Sequence, residues 1–303
     1  MTSLETAAFE TAEGAEHLSA RGDVRRGLLR RLWRERTGRV ALLIVAAFAL
    51  AAVLAPVLAP HDPNAVDVAR KFEPPSDEFL LGTDHLGRDV LSRLLFGARV
   101  SVATTLVAAS LISLIGLVLG MLAGYLGGVA DTVIGRVMDV VLAFPSLLLA
   151  LAVTGILGPG LRNVTIAVVV VWWAEYARLV RSAVIVVREK PYIEAARALG
   201  ASRTRILGRH VLPNIVAPIV VRTTLELGLV LLGIAALSFL GLGVKPPAAE
   251  WGSMLSEGRT YLSQAPQMML FPGAAIFLLV LGFNLLGDGL RDVLDPRTRG
   301  EHG

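Results

Sequence analysis

The chain has 303 residues, of which 54% are hydrophobic and only 18% charged, and its mean hydropathy is +0.64. It contains no cysteine, which excludes disulfides and cysteine-ligated metal sites. The net charge of +4 and pI near 9.8 read as membrane topology rather than nucleic-acid binding, because the apolar residues come in blocks and the arginines cluster between them.

Residues 1 to about 20, MTSLETAAFETAEGAEHLSA, have the composition of a disordered tail. Arg21, Arg25, Arg26, Arg30, Arg31, Arg34, Arg36 and Arg39 follow. The first apolar run then covers Val40–Leu58. Its polar leader is too long and its apolar run too extended for a cleaved signal, so it reads as an uncleaved anchor. Five more runs follow: Val100–Tyr125, Val140–Leu157, Val164–Val187, Ile215–Leu242 and Leu270–Leu286. About 20 apolar residues at 1.5 Å each cross the hydrocarbon. One such run could be a buried core helix; six predict an all-α polytopic membrane protein.

The segment between the first two spans is acidic, with Asp62, Asp67, Glu73, Asp77, Glu78, Asp84 and Asp89. Arginines gather instead before the first span, around residues 178–209 and after the last span, at Arg291, Arg297 and Arg299. An even number of spans puts both termini on one side. The positive-inside rule makes that side cytoplasmic and the acidic loop external. The expected organisation is a basic cytoplasmic segment over 1–39, a first span with external loop over 40–99, a five-span core over 100–299, and a tail over 300–303.

Several residues interrupt the spans. Gly116, Gly120, Gly124 and Gly128 recur every fourth residue, which predicts one face for close backbone approach of another helix. Pro145 should kink the third span. Glu226 lies well inside the fifth span, where a lipid-facing charge costs about 2.5–3.5 kcal/mol. Arg222 stands one turn earlier and can pair with it. The two residues are either a satisfied ion pair at a helix interface or part of a watery path. Asn284 and Asp288 near the end of the sixth span carry the same ambiguity.

Between spans four and five lies PYIEAARALGASRTRILGRHVLPN, residues Pro191–Asn214. Pro191 suits the first turn of a helix and Glu194 favours its positive end. Gly200 permits a reversal, and Ser202 is an N-cap for a second helix carrying Arg203, Arg205 and Arg209. Pro213 and Asn214 end that helix where span five begins. An amphipathic helix lying on lipid would explain the arginines. It does not explain the small residues Ala195, Ala196, Ala198, Gly200 and Ala201, which suit insertion into a partner's groove. The chain has no G-x-x-x-x-G-K-[ST] loop, no H-E-x-x-H and no G-x-S-x-G. It is therefore expected to be neither an ATPase nor an enzyme of those classes.

Glu194-Ala195-Ala196, then Gly200, then Leu212-Pro213 resembles the EAA loop of ABC importer permeases, here at 190–213. His210 replaces the generic isoleucine, and RHVLPN resembles the peptide-importer branch. GTDHLGRDVLSRLLFGARVS, MDVVLAFPSLLLAL, ALSFLGLGVKPPAAEWGSMLSEGR and LGDGLRDVLDPR resemble the second permease of dipeptide and oligopeptide importers. The likeness covers roughly Val40–Arg299. It implies a type I importer permease fold whose coupling helix, through Glu194, Ala195, Ala196, Ala198, Gly200, Leu212 and Pro213, docks on a separate ATPase. It also implies a second homologous permease, two ABC ATPase subunits that carry ATP and magnesium, and an extracellular binding protein, all at a bacterial cytoplasmic membrane. No cofactor or metal bound by this chain, and no nucleic acid, is expected. The branch also imports nickel and other small solutes. Nickel would favour a histidine-rich or acidic donor set, and the lack of a histidine cluster in any span leans towards peptides. A passive channel or scaffold would have no use for an ATPase dock.

Overall fold

The computed structural model describes residues 30–294. The expectations for the tail before residue 30, for Arg297 and Arg299, and for 300–303 lie outside the described residues. In chain order the helices are α1 (Arg36–Leu58), α2 (Val90–Leu126), α3 (Gly128–Leu142), α4 (Ser146–Leu157), α5 (Leu161–Arg188), α6 (Pro191–Ala198), α7 (Arg203–Ile206), α8 (Leu212–Leu237), α9 (Trp251–Arg259) and α10 (Gln267–Leu294). No strand occurs among the described residues beyond an isolated bridge, Thr83 with Asp89.

Among the described residues, five helices are long and apolar enough to cross a membrane: α1, α2, α5, α10 and the continuous helical stretch Arg203–Leu242 that contains α8. The sixth is the bent pair α3 and α4, which turns by 89° at Pro145, where a kink was expected, and begins at Gly128 rather than at the expected Val140. Its 12-residue outer half, α4, is about 18 Å long and too short to span alone. The break falls at Ala143–Pro145, where Pro145 lacks the amide and its ring clashes with the preceding turn.

Two further boundaries differ from expectation. The second span starts ten residues early, at Val90, because Asp89 caps it: Asp89 Oδ2 accepts from Ser92 N at 2.9 Å. The fifth span does not start after a break at Pro213. The chain passes from α7 into α8 through one π-helical turn, Leu207–Val211. The wider turn accommodates the amide that Pro213 lacks, and Asn214 Nδ2 donates to His210 O at 2.6 Å.

The tightest seam joins α2 to α5. A Cβ at Gly116 would lie 2.7 Å from Tyr176 Cδ1, at Gly120 2.6 Å from Ala177 O, and at Gly124 2.8 Å from Arg181 O. Only glycine lets the two backbones approach this closely. Gly128 is not in this seam: α2 has already ended at Leu126, and a Cβ there would meet nothing within 4 Å. Gly127 and Gly128 instead take positive φ of 67° and 55°, turning the chain into α3. A second close contact sets Gly282 of α10 against Ile44 of α1.

The helix ends sort into two sides. Gly289, near the end of α10, lies against Leu32 and Gly38 at the start of α1. Arg188 at the end of α5 donates to Gly124 O at 2.9 Å, at the end of α2. These ends share one side with α6 and α7. The opposite side carries the loop from residue 59 to 89 and α9. There Arg70 bonds Glu73 and Glu78, and this hydrogen bonding holds the exposed Glu78 carboxyl below its ordinary range.

Candidate coupling elbow and intramembrane charge site

Four buried side chains hold the elbow to the bundle. Ile193 of α6, Ile206 of α7, Val211 of the π-turn and Ile215 of α8 belong to the core built by α2, α5 and α8. Pro191 occupies the first turn of α6, Glu194 lies in that turn, and Arg197 in the last. Gly200 has φ +80°, and a Cβ there would meet no heavy atom within 4 Å, so the backbone alone demands glycine. The turn closes through Gly200 N to Arg197 O and Ala201 N to Ala196 O, both 3.0 Å. Ser202 Oγ then accepts from Arg205 N at 3.3 Å, capping α7 as its sequence position suggested.

With Ile193 facing inward, Glu194, Ala195 and Ala198 face outward, and Ala196 is half-buried. Leu199 at the tip is 88% exposed. Leu212 packs partly against the core while Pro213 is exposed. The outward surface thus combines the small Ala195 and Ala198 with Glu194, Arg197, Tyr192 and the uncovered Leu199. Glu194 and Arg197 also border a cleft of about 660 Å³, whose lining includes Tyr125, Arg188 and Arg203. Arg197 stacks over the Tyr125 ring at 5.5 Å, which ties α6 to the end of α2.

The second constellation lies at mid-span. Arg222 Nη2 is 2.9 Å from Glu226 Oε2 within α8, and 3.0 Å from Glu175 Oε1 on α5. The pair read from the sequence is therefore a triad. Glu175 was not singled out by sequence reasoning. The signal was available, because it is an acid inside an apolar run, in WWAEYAR. These are close charge contacts without hydrogen-bond alignment: neither Glu226 oxygen has a hydrogen-bond partner among the described residues, and nor do Arg222 Nε and Nη2. Beside the triad, Tyr176 and Thr223 share a hydroxyl hydrogen bond of 2.7 Å. Asp288 lies near the end of α10 and lines, with Arg222, a cavity between α5, α8 and α10. The Cβ that Gly228 lacks would meet Asn284 Oδ1 at 3.4 Å, so Asn284 sits at the α8–α10 contact.

A third charge cluster, on the side away from the elbow, was also missed. Arg88 Nε donates to Asp84 Oδ2 at 2.6 Å and Arg88 Nη2 to Glu257 Oε2 at 2.7 Å. Arg93 Nη2 reaches Glu257 at 3.1 Å. Asp84, His85 and Glu257 also place one donor atom each within 4.8 Å of one another, the spacing of a metal site. Both carboxylates are already engaged by Arg88 and Arg93, so this group is better explained as an ion-pair network.

The family model described as "binding-protein-dependent transport system inner membrane component" matches residues 116–300, more than half of the chain. The chain belongs to that family. A second model, the N-terminal transmembrane domain of oligopeptide transport permease C, matches residues 25–75. The chain is 44% identical over 274 residues to a dipeptide transport system permease protein of Alkalihalophilus pseudofirmus, covering 90% of each chain. It is 43% identical to a probable D,D-dipeptide transport system permease protein of Escherichia coli, covering 86% of this chain and 87% of that one. It is 42% identical to a nickel transport system permease protein of Escherichia coli, over 87% and 95%. The chain is thus a permease subunit of a peptide- or nickel-type ABC importer, a transport subunit and not an enzyme.

Proposed function

We propose that the chain forms half of a translocation pathway for di- or oligopeptides across the bacterial cytoplasmic membrane, with its N- and C-termini cytoplasmic. It pairs with a second homologous permease. Two ABC ATPase subunits hold the ATP and magnesium, and an extracellular binding protein delivers the cargo. The observation that carries this reading is the elbow: an exposed two-helix surface, with Ala195 and Ala198 on α6 and Arg203 and Arg205 on α7, anchored in the core through Ile193 and Ile206 and joined without a break to a spanning helix. Motion imposed on α6 is passed through the π-turn into α8, and so to the mid-span triad.

The glycine turn between α6 and α7 sets the angle of the outward face. Glu194 on that face is placed to meet a basic group of an ATPase. Closure of the ATPase pair would then drive the spans between two packings, the requirement for alternating access. The dipeptide relatives support a peptide cargo. The nickel relative supports the alternative, but the metal-like spacing of Asp84, His85 and Glu257 is taken up by arginines. Purification of the tagged chain from its native membrane tests the reading. The expected result is co-purification of ATPases and a second permease, and a cognate binding protein loaded with peptide. Recovery without any ATPase, or with a binding protein loaded with nickel, would overturn it.

A further inference from the structure

Glu175 is the fifteenth residue of the 28-residue α5, about 20 Å from either end of that helix. Its side chain is nevertheless 51% exposed, while Arg222 is 20% exposed and Glu226 fully buried. A charge at this depth does not face hydrocarbon, because lipid contact costs several kcal/mol. The face of α5 that carries Glu175 is therefore turned to water or to the second permease. The triad sets two carboxyl groups against one guanidinium. A cavity of about 480 Å³ opens beside Arg222, with Leu179, Pro218, Val221 and Leu225 on its walls. Leu179 lies one helical turn beyond Glu175 on α5.

We infer that Glu175, backed by Arg222 and Glu226, forms an anionic subsite on the translocation pathway that receives an alkylammonium group of the cargo. This rests on the reading of the chain as a pathway-forming subunit. The guanidinium holds the two carboxyl groups together across α5 and α8, and Glu175 presents its exposed carboxylate to the path. An ammonium with three donors can meet the Glu175 oxygens without displacing Arg222. The attraction is strongest where water is partly excluded and weak enough in a wet path to allow release.

The test uses the whole complex in proteoliposomes and a reporter thiol at Leu179→Cys, the only thiol of this chain, with labelling read on this chain's band and the complex lacking the reporter as background. The probes are a cationic and an anionic membrane-impermeant methanethiosulfonate. The cationic reagent is expected to label faster, and Glu175→Gln to lower the ratio of the two rates by about threefold or more. Glu175→Asp should keep the ratio. Trialanine should slow labelling, and N-acetyl-trialanine should not. No labelling by either reagent would mean a dry face and overturn the inference, as would an unchanged ratio in Glu175→Gln or equal protection by both peptides. Failure of the wild-type complex to import trialanine would sink the peptide reading alone. The labelling ratio would still decide the subsite.

Discussion

Arg88 and Glu257 are 169 residues apart in sequence and meet at 2.7 Å. The contact joins the end of the outer loop to α9. Arg88 is almost wholly buried, and Arg93 beside it shares the same carboxylate. Two buried guanidiniums therefore lean on Asp84 and Glu257. Removing one acid strands charge that water cannot reach.

Glu257→Gln is accordingly predicted to destabilise the assembled complex by about 3 kcal/mol. The midpoint of thermal unfolding in detergent would fall, with α9 exposed first to protease. The double variant Arg88→Met with Glu257→Leu should cost less than the sum of the two single changes, since the pair is lost together. Strict additivity would show that the two side chains are not coupled.

Glycine positions along α2 and α3 should separate by what they touch. Gly120→Ala places a methyl 2.6 Å from Ala177 O, which belongs to backbone and cannot swing aside. It should cost about 1–3 kcal/mol and lower the yield of folded protein on size-exclusion chromatography. Gly135→Ala, where nothing lies within 4 Å, should be neutral or slightly stabilising, because alanine is the better helix former. Equal behaviour of the two variants would mean that α2 and α5 are not packed as closely as described.

At the elbow, a Cβ on Gly200 meets no heavy atom within 4 Å, so the effect of Gly200→Val is expected to come from the backbone at φ +80°. A β-branched residue there costs about 1–3 kcal/mol, enough to tilt α6 without disturbing a span. We expect intact insertion and pairing with the second permease, but loss of substrate-stimulated ATP hydrolysis. Glu194→Ala should show the same defect more weakly. Ala198→Cys should cross-link to an ATPase subunit and not to the binding protein. Normal coupling in Gly200→Val would remove the elbow from the transmission path.

The orientation has a direct measurement. Ser76 in the outer loop and Ala198 on α6 are both exposed, and no native thiol competes. Ser76→Cys should react with an impermeant maleimide added to intact cells, and Ala198→Cys only after permeabilisation. The reverse pattern would put the elbow outside the cell and end the ATPase reading.

Much of this molecule is written locally. Apolar runs of the right length named the six membrane segments, since a helix must satisfy its own backbone in hydrocarbon. Ser202 as a cap, Gly200 as a turn and Gly116, Gly120 and Gly124 as a close-approach face depend on near neighbours or on one helical repeat, so they were legible. Gly128 was not, because the fourfold spacing continues past the point where the helix stops. Nor was the uninterrupted passage at Pro213, where a π-turn absorbs what a local rule reads as a break.

What only the tertiary structure decided is which distant charges meet. Arg222 with Glu226 is an i, i+4 pair and visible in the sequence. Glu175 joins them only because α5 packs beside α8, and Glu257 reaches Arg88 and Arg93 only because α9 folds under the outer loop. The physical reason is one of range. Helix formation and membrane insertion are decided over a few turns of chain, whereas a buried ion pair is decided by the packing that brings its partners within about 4 Å and removes the water between them.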